Sequence, residues 1–334
     1  MGKDKIFIIS QSDEKTAGSR TRVFQYLPFF ERAGLRYDLY VWFAGGFAYK
    51  MSVLFRALFH RTLFIQKITM KPPVLKVFKL LRKKIIFDFD DAIFIFPNNA
   101  CKNIDHLIAQ IEASRLVVIE NEYNEKYIKE NTTQGNVLKV LGPIDTQRYS
   151  PRSGSGGGAV TVGWIGGPST TTYLLSEKES FARIKGKYGD KVRFVTIGAD
   201  EEETKGTVFE GGNSPWTLES EVAELAKFDI GIMPLPDDPW TRGKGGYKLL
   251  QYMAMGIPCV CSPVGVNEKL IRDGESGFLA GTSEQWVEKI SLLVENENDR
   301  KKMGAAGRDD AVRNYSFDHY APILVEAIRD VIRK

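Results

Sequence analysis

The tightest constraint on the fold is an alternation. Apolar strand-like runs and helix-like runs follow one another along the chain, stop once, and start again. KIFIIS reads as a strand, TRVFQYLPFFERAG as an amphipathic helix closed at Gly34, and YDLYVWF as the next strand. MSVLFRALFHR is helical, LFIQ extended, VLKVFKLLRKK helical and IIFDF extended. A helix near KNIDHLIAQIEA, the strand RLVVIE, a helix near NEKYIKEN and the strand VLKVL complete the series. Strands separated by helices predict a parallel sheet covered on both faces. GPIDTQRYSPRSGSGGG, rich in Pro, Ser and Gly, then reads as a linker. Beyond it VTVGWI, VRFVTIG, TVFE, DIGIMPL, IPCVCS and GFLA read as strands, and LESEVAELAKF, GGYKLLQYMAM and NEKLIRDG as helices, before a helical C-terminus. A chain of 334 residues is long enough for two such cores. The prediction is α/β: two parallel-sheet domains, 1–150 and 151–315, facing a cleft, with 316–334 as a closing helix. Sheets of this type bind ligands at the carboxyl ends of their strands.

Other classes are disfavoured. No apolar run reaches the roughly 18 residues of a membrane span. The start, MGKDKIFIIS, lacks the apolar core and cleavage site of a secretory signal. Cys101, Cys259 and Cys261 have the spacing of neither a zinc site nor a disulfide framework, so a reducing cytoplasm is expected. Charge is uneven: residues 1–150 hold 23 Lys and Arg against 15 Asp and Glu, the remainder 23 against 27. Residues 50–84 contain ten bases and no acid. On a helix Arg56 and His60 share a face opposite Leu54 and Leu58; Lys76, Lys79 and Lys83 share a side, with Val74, Phe78 and Leu81 on another. The apolar faces are assigned to the core. The basic faces suit an anionic membrane leaflet or solvent. Nucleic acid is excluded as a partner, because no recognition motif occurs and the second half is acidic. His60 and His106 lack metal-ligand partners and read as structural, and His319 sits in the terminal segment.

Two stretches carry chemistry. In IIFDFDDAIF, Asp88, Asp90 and Asp91 follow a buried strand, which is costly unless something uses them. Asp88 and Asp90 resemble the Asp-x-Asp of haloacid-dehalogenase-like phosphatases, without the Gly-Thr that usually follows. An Asp-x-Asp holding a metal–nucleotide-sugar is a second reading, and an acid at the cleft mouth touching substrate a third. The plain alternative is a helix cap or an ion pair. In RGKGGYKLLQYMAMGIPCVCSPVGVNEKLIRDGESGFLA, Arg242, Lys244 and Lys248 crowd a helix start among Gly243, Gly245 and Gly246. Free N–H groups with nearby cations make an anion site, and a diphosphate fits it. SPVGVNE is a second glycine turn into a helix.

The order of that second stretch resembles the donor-binding half of glycosyltransferase family 4, retaining enzymes with two Rossmann-like domains, the GT-B fold. GWIGGPSTTTYL, AGSRTRVFQYLPFFERAG, IIFDFDDAIF and NYSFDHYAPIL are similar to other parts of the family, the last matching a C-terminal helix that returns to the first domain. The resemblance implies an N-terminal acceptor domain and a C-terminal nucleotide-sugar domain. It implies that Lys248, with Arg242 or Lys244, neutralises the donor diphosphate without a metal. It implies that Gly166 and Gly167 let a turn approach the donor, and that Gly265 with the N–H groups of Val266 and Asn267 meets phosphate or sugar. Glu268 contacts the sugar or is a first-turn helix acid. Gly18, Ser19 and Arg20 form a loop facing the phosphates, and Arg22 packs at the surface. Asp91 or Asp88 is the acid that touches substrate. The family's frequent glutamate pair is replaced here by Gly243 and Gln251, with Gln251 left to bond a ribose hydroxyl. Asp237 and Asp238 either compensate or shape a turn.

The implied activity is transfer of a sugar, with retention, from a nucleotide-diphosphate donor to a glycan or lipid-linked acceptor. Its expected setting is cell-surface polysaccharide synthesis at the inner face of the membrane, with no cofactor or metal. A non-catalytic nucleotide-sugar-binding scaffold and an Asp-dependent phosphatase stand as alternatives.

Overall fold

The computed structural model describes residues 5–95, 103–151 and 158–333; Cys101 and residues 152–157 of the expected linker lie outside the described residues. The chain divides into two compact units. Unit 1 is Met1–Pro143, Gly243–Gly245 and Phe317–Lys334; unit 2 is Ile144–Arg242 and Gly246–Ser316.

Unit 1 contains β1 (Lys5–Ser10), α1 (Ala17–Arg22), α2 (Leu27–Arg32), β2 (Arg36–Val41), α3 (Phe47–Ala57), β3 (Thr62–Gln66), α4 (Pro72–Leu80), β4 (Lys84–Asp88), α5 (Ile104–Ala113), β5 (Leu116–Ile119), α6 (Glu122–Asn131) and β6 (Val137–Lys139). All strand pairs are parallel, in the order β2-β1-β3-β4-β5-β6. The central strands are buried on both faces, which is why they read as unbroken apolar runs. Right-handed crossovers put α1 and α2 on one face of the sheet and α3 and α4 on the other. On the first face Ile6, Ile8, Phe64, Ile86 and Val118 pack with Tyr26 and Phe30, and with Phe317, Leu324 and Ile328 of the C-terminal helix. Lys84 Nζ donates to the Ile332 carbonyl at 2.7 Å, and Arg329 to that of Ala33 at 2.7 Å.

The single helix expected from TRVFQYLPFFERAG is broken. A 3₁₀ turn at Phe24–Tyr26 separates α1 from α2. Pro28 explains the restart: in the first turn of α2 its missing N–H costs no helical hydrogen bond.

Unit 2 contains β7 (Val160–Ile165), α7 (Thr171–Leu175), α8 (Lys178–Tyr188), β8 (Val192–Ile197), α9 (Glu201–Thr204), β9 (Asn213–Ser214), α10 (Glu221–Leu225), β10 (Ile230–Met233), α11 (Pro239–Arg242), α12 (Tyr247–Ala254), β11 (Cys259–Cys261), α13 (Asn267–Leu270), β12 (Phe278–Leu279), α14 (Ser283–Glu295) and α15 (Glu297–Asn314). Its parallel sheet runs β12-β11-β10-β7-β8-β9. α16 (Phe317–Arg333) is the C-terminal helix of unit 1. TVFE is not a strand. It is a turn that inserts Phe209 into the core, edge-on to Phe181 and Phe194. Its apolar residue serves packing from a turn, and the edge strand falls at Asn213–Ser214. Gly142 and Pro143 of the expected linker belong to unit 1, and the residues that follow are fixed in unit 2: Ile144 bridges to Ser316, and Arg308 donates to the carbonyls of Thr146 and Tyr149 at 2.9 and 2.6 Å.

Candidate functional site

In unit 2 the predicted donor residues gather beyond the carboxyl ends of β7, β10 and β11. Gly246 caps α12 in the left-handed conformation (φ 69°). Lys248, in the first turn of that helix, stands 5.4 Å above the Trp164 ring. The Gly166 backbone lies against the same ring, and Gly167 faces open space. Gly265 is also left-handed (φ 59°), and a Cβ there would sit 2.6 Å from the Arg242 carbonyl oxygen. The two glycine turns, Lys248 and the Arg242 backbone therefore form one surface, with the N-terminus of α12 opening onto it.

Several members play other parts than those expected. Arg242 is held bidentate by Asp237, at 2.6 and 3.0 Å. Asp238 caps α11, accepting from Thr241 N at 2.9 Å, so both acids shape the turn. The Asn267 N–H, expected to meet phosphate or sugar, donates to the Val264 carbonyl at 3.2 Å, and its side chain donates to the Ser262 carbonyl at 3.0 Å; Glu268 is an exposed first-turn acid of α13. The Gln251 amide nitrogen is not presented to a ribose. It donates to Glu221 Oε1 and approaches the Tyr149 hydroxyl at 3.4 Å. Glu221, 1% exposed, also accepts from Tyr149 OH and Trp216 Nε1. Sequence reasoning missed Glu221, because an acid in ESEVAE reads as the wet side of a helix.

In unit 1 the acidic string is sorted by its partners. Asp88 at the end of β4 is buried, and both its oxygens are taken by Arg22, Nε at 3.0 Å and Nη2 at 2.6 Å. Arg22 also donates to the Val140 carbonyl at 2.5 Å. Two expectations are thereby corrected. Arg22 is not at the surface but 1% exposed, and Asp88 is not open to substrate. A phosphatase built on Asp88 as nucleophile loses its nucleophile. Asp90 and Asp91 share Lys67, at 2.6 and 3.0 Å. Burial alone would lower the Lys67 pKa; Asp90 and then Asp91 outweigh it and hold the ammonium well above its usual range. Lys67 (φ 56°) and Asp91 (φ 49°) both adopt the left-handed conformation, so backbone strain accompanies the cluster.

Gly18, Ser19 and Arg20 form the start of α1, not a loop. The Gly18 Cα approaches Asp90 so closely that a Cβ would sit 2.5 Å from Oδ2. Ser19 Oγ accepts from Ser12 N at 3.0 Å and donates to Gln66, while Arg20 donates to the carbonyls of Glu14 and Lys15.

Glu120, just past β5, was not foreseen. It is 9% exposed, and its Oε1 accepts from Gly142 N at 3.3 Å. A Cβ on Gly245 would fall 2.0 Å from its Cδ. Burial pushes its carboxyl up to about 8; Asp90 and Asp91 add to this, and Arg22 and Lys67 oppose it. Next to it Asn121 Nδ2 donates to the Gly243 carbonyl at 2.9 Å. Gly243 has a physical reason to lack a side chain, since a Cβ would lie 2.4 Å from that of Ala92. Lys244 is half-buried between these glycines. Among the described residues no three His, Cys, Asp or Glu side chains form a set that could hold a metal ion. Two cavities lie elsewhere in unit 2, about 890 Å³ beside α8 and about 690 Å³ beside the start of β7.

Comparisons with known proteins bear on this arrangement. Residues 161–296 match the family model described as glycosyl transferases group 1. A curated D-inositol 3-phosphate glycosyltransferase from Nocardioides sp. (strain ATCC BAA-499 / JS614) is 25% identical over 175 residues, 49% of this chain and 32% of that protein. The matched part thus spans about a third of that relative. Among solved structures, sucrose-phosphate synthase from Thermosynechococcus elongatus matches with a TM-score of 0.74 at 12% identity, covering 99% of each chain. Anabaena Alr3699/HepE, solved with UDP and glucose, matches with a TM-score of 0.73 at 13% identity, covering 98% of this chain and 99% of that one. A glycosyltransferase from Rickettsia africae ESF-5 matches with a TM-score of 0.75 at 11% identity over the full length of both chains.

Proposed function

We propose that this chain, a glycosyltransferase of group 1 by its residues 161–296 and of GT-B fold by its paired parallel sheets, is a retaining family 4 enzyme that moves a sugar from a nucleotide-diphosphate donor to a glycan or lipid-linked acceptor. The observation that carries the reading is the coincidence of the family match with the surface formed by Gly246, Lys248, Gly265 and the N-terminus of α12. Backbone N–H groups and a cation there suit a diphosphate, and stabilise the charge that develops on the leaving nucleotide without calling on a metal. HepE, solved with UDP and with UDP-glucose, supports a nucleotide sugar as the donor class. Asp91, held half-exposed by Lys67, is the acid assigned to substrate; Asp88 is withdrawn from that role. The chain works in cell-surface polysaccharide synthesis in the cytoplasm, at the inner face of the membrane. No helix among the described residues is long and apolar enough to cross a bilayer; attachment to the membrane surface is part of the same proposal.

The test is a thermal-shift panel of nucleotide diphosphates and nucleotide sugars, with and without Mg²⁺, on wild type and Lys248→Ala. A ligand at about 100 times its Kd adds about 2.7 kcal/mol, a shift of several degrees. A metal-independent shift from one nucleotide, lost in Lys248→Ala, is the expected result. Silence across the panel from folded protein overturns the donor site, and binding without transfer or hydrolysis identifies a scaffold instead.

A further inference from the structure

The exposed apolar side chains of this protein are not scattered. Of the twelve large ones most exposed among the described residues, eight lie between Phe43 and Leu81, so they form a surface and not a background. On α3, Val53 and Ala57 turn to the sheet. Phe47, Met51 and Phe55 recur every fourth residue on the opposite side, and Phe59 extends the row, its ring 5.2 Å from that of Phe55. Phe47 is 81% exposed. On α4, Leu75 and Phe78 are buried while Leu80, 82% exposed, and Leu81 point to solvent. Of the apolar faces assigned to the core, Phe78 is buried and Leu54, Leu58 and Val74 are half-buried, but Leu81 is exposed. Both helices follow right-handed crossovers onto the same face of the sheet. Lys83 ties their ends together, donating to the carbonyls of Leu58 and His60 at 2.5 and 2.7 Å.

The cations are fewer at the surface than the sequence suggests. Of the ten bases in 50–84, Lys83 is spent on that tie, Lys84 is buried on the Ile332 carbonyl, and Lys67 is taken by Asp90 and Asp91. Lys50 is half-buried, and Arg56, Arg61, Lys71, Lys76, Lys79 and Arg82 remain exposed, with no acid in the segment. The nearby Asp38 is already paired with Lys5 and His60. Charge alone is thus a weaker anchor than composition implies, and the aromatic row adds a second one. A second copy of the chain fits poorly, because a two-fold contact would set these cations against one another. An aromatic stripe bordered by cations fits an interfacial helix on an anionic bilayer.

We infer that α3 lies in the headgroup–acyl boundary of an anionic membrane, with Phe47, Met51, Phe55 and Phe59 among the acyl chains. Leu80 and Leu81 enter beside them, and the arginines and lysines sit at the level of the lipid phosphates. This deepens the membrane placement proposed above and rests on it, but not on the glycosyl transfer.

The full chain is sedimented with vesicles of phosphatidylcholine, alone or mixed with phosphatidylglycerol, at low and high salt. Wild type binds the mixed vesicles and keeps part of that binding at high salt, where lipid–cation attraction is screened. Phe47→Ser with Phe55→Ser weakens binding about tenfold or more, with an unchanged melting temperature because both rings are exposed. Arg56→Glu with Lys79→Glu weakens it chiefly at low salt. Undiminished binding by the phenylalanine variant overturns the insertion and leaves a charge-held membrane placement. Failure of wild type to bind either vesicle overturns both. A concentration-dependent dimer in analytical ultracentrifugation, dissolved by the phenylalanine variant, gives the stripe to a second copy and overturns the inference.

Discussion

Glu120→Gln tests the electrostatics of unit 1 most directly. The Glu120 carboxyl, pushed by burial from 4.5 to about 8, keeps its proton in the folded protein at neutral pH. In the unfolded chain it loses that proton above its ordinary value. Below about 4.5 both states hold the proton, and stability does not depend on this group. Between about 4.5 and about 8 only the folded state holds it, so unfolding releases a proton and rising pH favours unfolding. Each pH unit in that window costs about 1.4 kcal/mol, so raising the pH from about 5 to about 7.5 removes about 3 kcal/mol on account of Glu120. Glutamine keeps the size and the acceptor for Gly142 N but cannot titrate. Its extra N–H group shifts stability by an amount that does not vary with pH. Urea unfolding of wild type and variant at the two pH values therefore gives a difference that moves in the variant's favour by about 3 kcal/mol as the pH rises. A difference that stays constant within about 0.5 kcal/mol means that Glu120 is ionised in the folded state, and refutes the reasoning.

Two further outcomes follow from the same contacts. Arg22→Met strands the buried Asp88 carboxylate and costs about 3–5 kcal/mol in urea unfolding, whereas the double change with Asp88→Leu recovers much of that loss. Gly265→Ala forces a left-handed alanine whose Cβ meets the Arg242 carbonyl oxygen at 2.6 Å; it costs at least about 1–2 kcal/mol and lowers Tm, a loss absent in Gly167→Ala, where space is open.

The legible and illegible parts of this chain divide along a physical line. The strands were legible because a strand covered on both faces reads as a nearly unbroken apolar run, as KIFIIS and IIFDF do. The turns at Gly246 and Gly265 and the first-turn Lys248 were legible as glycine and lysine signals, but the sequence did not show that Asp237 takes the Arg242 side chain or that Lys244 falls in unit 1. Partner choice was not legible. Asp88, Asp90 and Asp91 are nearly adjacent, yet Asp88 finds Arg22 66 residues away and Asp91 finds Lys67 24 residues away. The string alone holds nothing that assigns one acid to a buried pair and another to a half-exposed one. The same limit applies to α3. Its buried row, Val53 and Ala57, and its exposed row, Phe47, Met51 and Phe55, have the same four-residue spacing. Periodicity therefore finds two apolar rows and cannot say which meets the sheet; by hydrophobicity alone the phenylalanines belong inside. The sheet admits the small row because Val and Ala let the helix approach it closely. The large row is left to face outward, which is why a feature that reads as core turns out to be the surface on which the membrane inference rests.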